Sequence, residues 1–482
     1  MSESSLQRFV GDETSMISDL KPYPTYKDSR LPWLEEVPEH WNLIPNRALI
    51  RKRKILVGDH HTECDLLSLT KEGVIVRDVE SGKGKFSADM GTSQEVRAGD
   101  LIFCFFDIPE TPRTVGLSHH NGMITGAYTV FECSDPVIST FFELFYKAMD
   151  DRKLLSPLYS GLRNTIPPTL FLGIKTPVPP HAEQATIVRF LDHMDRRIRR
   201  NILAKQKLIK LLEEYKQVII HRAVTRGLDP TVPLKPSGVE WLGEIPEDWA
   251  FLRGKFYFQE IDKRSATGKE ELLSVSHITG VTPRSQKNIN MFKAESYIGY
   301  KLCNPGQIVV NTMWAWMAAI GVSRYHGIVS SSYHTYDQIN KHNFHNDFLD
   351  LLLRSTLYKI NYAMNSTGIT SSRLRLYPED FLNIRFLCPP MGEQEAIICW
   401  LKCMIGDLDI AKERLNGEIA LLKEYRTRLI SDVVTGKLDV RGIELPADED
   451  AEVPTELSEL LDDDITPDDC EIPEDEIPAE AD

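Results

Sequence analysis

The 482-residue sequence lacks the motifs that most often carry catalysis. It has no GxxxxGK[ST] phosphate loop, and the Gly- and Lys-rich stretch at 81–85 has the wrong spacing. It has no Gly-x-Ser-x-Gly nucleophile turn. An adenine methyltransferase would need a glycine-rich cofactor loop and an (Asn/Asp)-Pro-Pro motif, and Asn304-Pro305-Gly306 is the nearest approach. We therefore predict no catalytic residue in this chain.

Metal-ligand patterns, cysteine pairs and long apolar runs are scarce too. Residues 59–65 contain His60 and His61, but adjacent residues of a strand face opposite ways and no distant ligand pair follows. The eight cysteines form no CxxC pair, so we expect reduced thiols and no metal site. No run of about eighteen apolar residues occurs, and 1–28 lacks the apolar core of a secretion signal. A cytoplasmic protein is expected.

The net charge of −15 is concentrated at one end. From Ala447 onward there are 17 acidic residues and no Lys or Arg, which leaves 56 basic and 54 acidic residues elsewhere. Such a proline-punctuated acidic segment is typical of a disordered tail. The alternative is a tail that screens a basic surface from wrong partners. The acidic composition therefore does not exclude a nucleic-acid partner.

The most informative feature is an internal repeat. Pro179–Asp229 and Pro389–Asp439 align without a gap at an offset of 210 residues, sharing Pro-Pro, Glu-Gln, Leu-Leu-x-Glu-Tyr, Val-Thr and Leu-Asp. Near the start of each half, Trp33-Leu-Glu-Glu-Val-Pro-Glu-His-Trp41 corresponds to Trp241-Leu-Gly-Glu-Ile-Pro-Glu-Asp-Trp249. Two copies with so long a period indicate a duplicated domain and not a solenoid.

Each long repeat predicts one helix that follows Pro-Pro. Steps of four and three residues select an apolar seam in each helix, with polar residues only in its middle: Asn201 and Lys205 in the first and Glu418 in the second. One such helix alone would suit a core helix or a dimer zipper, but two in one chain favour an antiparallel pair whose ends bind other subunits. The seam and docking residues are predicted as Ile187, Leu191, Ile198, Leu212, Tyr215, Ile219, Ile397, Leu401, Leu408, Leu422, Tyr425 and Leu429.

The segments between these helices differ in sequence but keep a common order of short apolar runs. Gly99 to Phe103 stands where Gly306 to Val310 stands, and a helix follows later in each half, at 137–153 and 346–361. Just before each Pro-Pro, Arg163 aligns opposite Arg373. We therefore expect one fold with two different surfaces.

This order of two Trp-Leu-x-x-x-Pro-x-x-Trp segments, two divergent segments and two Pro-Pro-x-x-Glu-Gln helices resembles the specificity subunit of type I restriction-modification enzymes. The resemblance covers about 31–445. It implies an α+β fold, pseudo-twofold duplicated, in which two similar mixed α/β target-recognition domains are separated by two long antiparallel, coiled-coil-like helices. The implied segments are 1–30 (disordered lead-in), 31–178 (first target-recognition domain), 179–228 (central spacer helix), 229–240 (linker), 241–388 (second target-recognition domain), 389–445 (C-terminal spacer helix) and 446–482 (acidic disordered tail).

In function, the resemblance implies a non-catalytic reader of double-stranded DNA. Each target-recognition domain would read one half of a bipartite, asymmetric site. The helices would dock two copies of the methyltransferase (M) subunit, and restriction/translocase (R) subunits would join them. No cofactor is expected on this chain, because S-adenosylmethionine, ATP and Mg²⁺ belong to those partners.

Basic and small polar residues outside the helices are the candidate DNA contacts, since Lys and Arg bind phosphate and Arg can also fork to guanine. The run at 51–54 suits a solvated turn equally well. The loop at 365–373 is the strongest candidate, because small residues allow close backbone approach. The full set is Arg51, Lys52, Arg53, Lys54, Lys83, Lys85, Ser160, Gly161, Arg163, Lys263, Arg264, Lys269, Arg284, Lys287, Arg324, Ser366, Thr367, Gly368 and Arg373.

Two other functions stay open at the level of sequence. One is a self-sufficient DNA methyltransferase or nuclease with an unrecognised site, which predicts turnover by the purified chain. The other is a helical assembly protein without DNA contact, which predicts no salt-dependent DNA binding.

Overall fold

A computed structural model describes residues 20–53, 55–71, 73–77, 90–133, 135–239, 242–286, 296–368 and 374–445. These residues form two compact units: unit 1 comprises 20–203 with 417–445, and unit 2 comprises 204–416. The sequence predictions treat each long helix as a separate segment, whereas the structure divides each helix between the two units.

The strands of unit 1 are short, and most of them have at least one buried face. In chain order they are β1 (Tyr26–Leu31), β2 (Leu34–Pro38), β3 (Asn42–Pro45), β4 (Arg51–Lys52), β5 (Leu67–Thr70), β6 (Gly73–Val76), β7 (Gln94–Val96), β8 (Leu101–Phe103), β9 (Val115–Leu117), β10 (Gly122–Ile124), β11 (Thr129–Glu132) and β12 (Lys175–Val178).

Unit 2 repeats this order strand for strand. Its strands are β13 (Leu234–Pro236), β14 (Glu244–Pro246), β15 (Ala250–Arg253), β16 (Phe258–Ile261), β17 (Leu273–Ser276), β18 (Gly280–Pro283), β19 (Lys301–Cys303), β20 (Ile308–Val310), β21 (Ile320–Val322), β22 (Gly327–Val329), β23 (His334–Gln338) and β24 (Arg385–Cys388).

The pairing of these strands is also the same in the two units. The central sheet has the order β4-β11-β8-β9 in unit 1 and β16-β23-β20-β21 in unit 2. The two-stranded pairs β1-β2, β3-β12, β5-β6 and β7-β10 recur as β13-β14, β15-β24, β17-β18 and β19-β22. All these ladders are antiparallel. The predicted α+β fold with a duplicated domain is therefore confirmed.

The helices of the described residues are α1 (Pro136–Asp151), α2 (Pro168–Gly173), α3 (His181–Arg226), α4 (Asn346–Leu353), α5 (Thr356–Asn365), α6 (Pro378–Asn383) and α7 (Met391–Val434). The single helix predicted over 346–361 is two helices. The helical conformation is interrupted at Arg354 and Ser355, and the second helix continues to Asn365. None of the helices in the described ranges is both long enough and apolar enough to cross a bilayer.

Within each unit the two long helices run antiparallel. In unit 1 Arg426 of α7 donates to Asp195 of α3. In unit 2 Lys216 of α3 lies 2.8 Å from Asp409 of α7, and Lys412 lies 3.0 Å from Glu213. As residue numbers rise along α3, from Asp195 to Lys216, those of the contacted residues of α7 fall, from Arg426 to Asp409. The paired segments therefore run in opposite directions.

Each unit builds its core from its sheet, its shorter helices and one end of each long helix. In unit 1 Ile187 and Leu191 of α3 join Leu429 and Val433 of α7 in a cluster with Phe103 of the central sheet. The equivalent cluster of unit 2 contains Ile219, Ile397 and Leu401. The long helices are therefore held to each unit by buried apolar surface, which contributes about 25 cal/mol per Å².

A tryptophan fixes the start of each long helix to its unit. Trp41 is fully buried and its Nε1–H donates to Glu183 Oε1 at 2.9 Å, in the first turn of α3. The Nε1–H of Trp249 donates to Glu393 Oε2 at 2.9 Å, in the first turn of α7. A carboxylate there is also favoured by the helix dipole. These Trp and Glu residues are members of the repeated motifs found in the sequence.

The disordered lead-in predicted for 1–30 is wrong for 20–30. The Tyr23 hydroxyl donates to Glu183 Oε1 at 2.6 Å, β1 pairs with β2, and Lys21 bridges to Asp439 beyond the end of α7. Burial raises the pKa of Tyr23, and its hydrogen bond to Glu183 raises it further. Residues 1–19 lie outside the described part.

The linker predicted at 229–240 corresponds in unit 2 to this ordered lead-in of unit 1. Its strand β13 pairs with β14 as β1 pairs with β2. The Glu247 N–H donates to the Pro233 carbonyl at 2.9 Å as the Glu39 N–H donates to the Thr25 carbonyl at 3.1 Å. The linker is thus an edge strand of unit 2. The acidic tail predicted at 446–482 lies outside the described residues.

The predicted seam residues differ in exposure. Tyr215 is 52% exposed, so its place in the seam is wrong. Ile219, the next position of the same pattern, is buried, so the departure at Tyr215 is local. The buried residues are Ile187, Leu191, Ile198, Ile219, Ile397, Leu401 and Leu429. The partly buried ones are Leu212, Leu408, Leu422 and Tyr425.

Candidate nucleic-acid interface

Two loops meet at one edge of the central sheet in unit 1. Loop A1 (residues 104–114) joins β8 to β9, and hairpin B1 (Ser160–Thr165) precedes α2. The Ile166 N–H donates to the Phe105 carbonyl at 3.0 Å, and the Asp107 N–H donates to the Arg163 carbonyl at 2.8 Å. These two hydrogen bonds hold the tip of hairpin B1 against loop A1.

An exposed ion pair links the two loops. Arg163 Nε lies 3.2 Å from Asp107 Oδ1, and Nη2 donates to Oδ2, so the contact is bidentate. The guanidinium also lies 5.4 Å from the centroid of the Phe106 ring. The hydrogen bond lowers the pKa of Asp107 and raises that of Arg163, so both groups stay charged. An exposed pair contributes little stability, which leaves Arg163 free to exchange partners at small cost.

Hairpin B1 itself is tightly closed. Ser160 and Thr165 exchange two backbone hydrogen bonds of 2.9 Å, and each hydroxyl donates to the carbonyl of the other residue at 3.0 and 3.1 Å. Gly161 and Asn164 have positive φ angles of 70° and 44°. These are the residue types that tolerate such angles in a tight turn.

Unit 2 has the same pair of loops with different side chains. Loop A2 (residues 311–319) joins β20 to β21, and segment B2 (residues 366–376, of which 369–373 lie outside the described part) follows α5. The Leu376 N–H donates to the Thr312 carbonyl at 3.1 Å, the equivalent of Ile166 and Phe105 in unit 1. Thr367 and Arg375 exchange backbone hydrogen bonds of 3.0 and 2.8 Å. The stem of segment B2 is thus closed as hairpin B1 is.

Loop A2 carries two tryptophans where loop A1 carries Phe106 and Asp107. The rings of Trp314 and Trp316 are stacked at 5.9 Å between centroids and are half-buried. The Trp316 Nε1–H donates to the Met313 carbonyl at 3.0 Å. Because its indole N–H is already hydrogen-bonded, Trp316 can contact a ligand only through its apolar ring.

The basic residues predicted at 51–54 do not act together. Arg51 and Lys52 are exposed on β4. Arg53 is buried and makes a bidentate contact with the buried Asp100, at 2.8 and 2.9 Å. The hydrogen bond to Asp100 raises the pKa of Arg53. Its prediction as a phosphate contact is therefore wrong, because its guanidinium is committed inside the sheet.

Three predicted residues of unit 2 share one exposed loop. Lys263, Arg264 and Lys269 follow β16, and the Arg284 N–H donates to Leu272 beside this loop. Arg264 pairs with Asp262 at 3.0 Å. Arg324 lies elsewhere, paired at 2.9 Å with Asp347, which also accepts from Lys402. The structure therefore brings four of these five cations into one region.

The remaining predicted contacts are divided between described and undescribed positions. Ser366 donates to the Tyr362 carbonyl at 2.7 Å, and Thr367 and Gly368 are exposed. Ser160, Gly161 and Arg163 lie together in hairpin B1. Lys54, Lys83, Lys85, Lys287 and Arg373 lie outside the described residues. Residues 58–63 form a 3-10 helix and not a strand, and no group of three or more possible metal ligands occurs in the described ranges.

Sequence reasoning missed loops A1 and A2. The two residues of each contact between an A loop and a B loop are far from each other in the sequence. Local sequence patterns therefore cannot show that they meet. A usable signal was the alignment of Gly99 with Gly306, because it places the two loops at equivalent ends of β8 and β20.

Comparisons with known proteins agree with this architecture. No protein-family model matches the chain. The type I restriction enzyme MjaVIII specificity subunit of Methanocaldococcus jannaschii is 24% identical over 295 residues, which cover 57% of this chain and 64% of that protein. The chain thus matches slightly less than two thirds of the length of this relative. The resemblance to type I specificity subunits is confirmed.

Solved structures support the same fold. A chain from a structure on complex assembly and conformational transition of the type I restriction-modification system matches with a TM-score of 0.57 and 13% identity, over 83% of this chain and 99% of that one. The crystal structure of the HsdS subunit from Thermoanaerobacter tengcongensis matches with a TM-score of 0.45 and 14% identity, over 83% and 98%. The first match establishes a shared fold, and the second is too weak to add to it.

Proposed function

We propose that this chain is the DNA-reading, non-catalytic specificity subunit of a type I restriction-modification complex. Unit 1 reads one half of a bipartite, asymmetric site and unit 2 reads the other. The observation that carries this proposal is one strand topology with two chemically different pairs of loops at the same position. A shared scaffold with divergent loops is what two different half-sites require.

The chemistry of the loops fits DNA. Lys and Arg neutralise phosphates and position the protein, whereas side chains that reach base edges give sequence identity. Exposed cations in both units, such as Arg51, Lys52, Lys263 and Lys269, suit the first role. Arg163 suits the second, because a guanidinium can bind guanine O6 and N7 together. The long helices α3 and α7 fix the gap between the two half-sites. On DNA, half-sites one helical turn apart have centres about 34–36 Å from each other.

An apolar stripe on α3 suits a protein partner. In unit 2 Leu208, Leu211, Tyr215 and Val218 are 45%, 51%, 52% and 61% exposed, with the spacing of one helix face. A stripe of this kind accepts an apolar helix of another chain. We assign it to a methyltransferase subunit, and we assign the equivalent face of α7 around Leu421, 65% exposed, to a second copy. Restriction subunits then join through the methyltransferases. The methyltransferases bind S-adenosylmethionine, and the restriction subunits bind ATP and Mg²⁺.

The function is tested with the chain alone and with its methyltransferase partner. The complex should methylate adenines in a bipartite sequence, and its DNA affinity should fall steeply with salt as counterions are released. The chain alone, given DNA, Mg²⁺, ATP and S-adenosylmethionine, should be inert. Turnover by the chain alone would instead favour a self-sufficient enzyme, and salt-independent or absent DNA binding would favour a helical assembly protein.

The partner assignment is tested by stoichiometry. Leu211→Glu and its repeat counterpart Leu421→Glu each place a charge on an exposed position, so neither should unfold the chain. Each variant should lose one of two methyltransferase copies in sedimentation or native mass measurements, and the double variant should lose both. Two retained copies in both single variants would contradict the assignment.

A further inference from the structure

The tip of hairpin B1 presents a leucine wholly to solvent. Leu162 is 105% exposed, the highest value among the exposed large hydrophobic side chains of the described residues. Burial of a leucine side chain is favourable, and this one is not buried. Single exposed leucines are common, so exposure alone does not indicate a binding role. The surroundings of Leu162 decide its meaning.

The hairpin prevents this side chain from folding back onto the protein. Ser160 and Thr165 are joined by two backbone and two hydroxyl hydrogen bonds, and the Asn164 N–H donates to the Gly161 carbonyl at 3.3 Å. The stem is anchored to loop A1 by the Ile166–Phe105 hydrogen bond. Leu162 is therefore held outward by a closed turn, whereas a flexible loop would let it collapse onto nearby apolar surface.

The neighbours of Leu162 have the chemistry that DNA recognition uses. Arg163 follows it directly and is held in the bidentate contact with Asp107, with the Phe106 ring beneath the guanidinium. An arginine or a carboxylate can hydrogen-bond base edges, and an aliphatic side chain beside them can contact a thymine methyl group or enter between base pairs. Leu162 adds the apolar part of such a contact set.

The leucine is also specific to unit 1. In the alignment that places Arg163 opposite Arg373, Leu162 stands opposite Ser372, so the second copy has a small polar residue there. A residue needed for the common fold would be expected at both positions, because the strands of the two units agree in order and pairing. A residue that reads only one half-site would differ between them.

We propose that Leu162 enters a DNA groove and contacts one base pair of the half-site read by unit 1. This inference rests on the function proposed above, and it assigns a specificity-determining side chain to that function. The contact is apolar and adds to the phosphate and base contacts of Arg163.

The test uses the complex with its methyltransferase partner and duplexes that contain the mapped methylation site. Leu162→Ala should weaken binding to the specific duplex about tenfold and leave non-specific binding unchanged, within the range typical for one base-pair contact. Leu162→Met should retain most of the affinity. Val76→Ala, at a 43% exposed position on β6 of the same unit, is the matched control and should bind as the wild type does.

A base-pair scan then locates the contact. Each pair of the unit 1 half-site is replaced in turn, and the loss of affinity is measured for the wild type and for Leu162→Ala. At one position the wild-type loss of about tenfold should shrink to less than about twofold in the variant, while other positions keep their full loss. Since Leu162 is fully exposed, the variant should melt at the wild-type temperature.

The outcomes separate this inference from the function on which it rests. A wild-type complex without preference for the mapped duplex would contradict the proposed function. A wild-type complex that prefers it, with an equally tight and equally selective Leu162→Ala variant, would overturn the role of Leu162 alone. Loss of methyltransferase subunits from the variant with unchanged DNA selectivity would also overturn it, because Leu162 would then be a protein contact.

Discussion

Loops A1 and A2 stand at the same place in the same sheet, yet their chemistry is different. Loop A1 presents the Asp107 carboxylate and the Phe106 ring, and both contact Arg163 of hairpin B1. Loop A2 instead presents two stacked tryptophans. Behind them, the contacts that build the units are kept, as in the pairs Trp41–Glu183 and Trp249–Glu393. The comparison teaches that the partly exposed residues of these loops change, while other residues of the same loops, Ile108 in A1 and Ala315 in A2, stay in the cores.

The same comparison extends to a buried polar site beneath the sheet. Unit 1 holds the pair Arg53–Asp100, and the strand registers place Ile261 and Gln307 at the equivalent positions of unit 2. Asp100 accepts from the Arg97 N–H as the Gln307 side chain accepts from the Asn304 N–H, at 2.8 Å in both cases. The same site of the sheet therefore holds two charged side chains in unit 1 and two neutral side chains in unit 2.

The largest expected effect comes from breaking this charged pair. Arg53→Ile should destabilise unit 1 by about 3–5 kcal/mol, because Asp100 is left buried without its partner. Adding Asp100→Gln, which copies unit 2, should restore most of the lost stability, since neutral replacements of buried pairs are often tolerated. Denaturant midpoints of the two variants check this. A double variant no more stable than the single one would break the equivalence of the two sites.

The next effect concerns the glutamates that begin the long helices. Glu183 accepts from the buried Tyr23 and Trp41 and lies 2.7 Å from His40, whereas Glu393 accepts from Trp249. Each buried donor without a partner costs about 1–3 kcal/mol, so Glu393→Ala should lose about 1–3 kcal/mol. Glu183→Ala should lose more, because two buried donors then lose their acceptor. Denaturation of both variants measures the difference. Equal losses would show that the additional donors contribute nothing.

A smaller effect is expected on DNA recognition. Arg163→Ala should weaken discrimination at the half-site of unit 1 by about 1–3 kcal/mol and leave the other half-site unchanged. Trp316→Ala should do the reverse, weakening discrimination only at the half-site of unit 2. Competition binding with duplexes altered in one half-site at a time distinguishes them. Losses at both half-sites from either variant would contradict separate reading by the two units.

The smallest effect concerns phosphate contact in unit 1. Arg51→Ala should leave stability and sequence preference unchanged, and it should reduce the slope of log affinity against log salt by about 1. Arg51 is exposed and lies two residues before the buried Arg53. Substitution of Arg51 should therefore change the salt dependence of DNA binding, whereas substitution of Arg53 should change stability. A salt slope equal to that of the wild type would remove Arg51 from the interface.

Much of this architecture could be predicted because duplication makes weak signals visible twice. The repeated Pro-Pro and Glu-Gln positions predicted both long helices, and the repeated tryptophans marked the start of each unit. The order of strands was less accessible: 123–131 reads as one apolar run, but β10 and β11 are separated by a turn there. Gly126, in the middle of the run, was the local signal of that turn.

Other errors have identifiable physical causes. Arg53 reads as part of a basic run, and only its long-range contact with Asp100 removes it from the surface. Tyr215 has the spacing of the seam but belongs to neither core cluster, and spacing alone does not tell which turns of a long helix the cores cover. The lead-in at 20–30 looks disordered because its partners, Glu183 and Asp439, are far away in the chain. The candidate loops themselves depend on such long-range contacts.

The most direct measurement of the central claim is a map of methylated adenines in a genome that expresses this chain with the methyltransferase proposed as its partner, made for the wild type and for Arg163→Ala. The account predicts a bipartite, asymmetric sequence for the wild type, and for the variant a relaxed sequence in one half with the other half unchanged. A continuous or symmetric sequence, or a variant that relaxes both halves alike, would contradict two separate reading units on one chain.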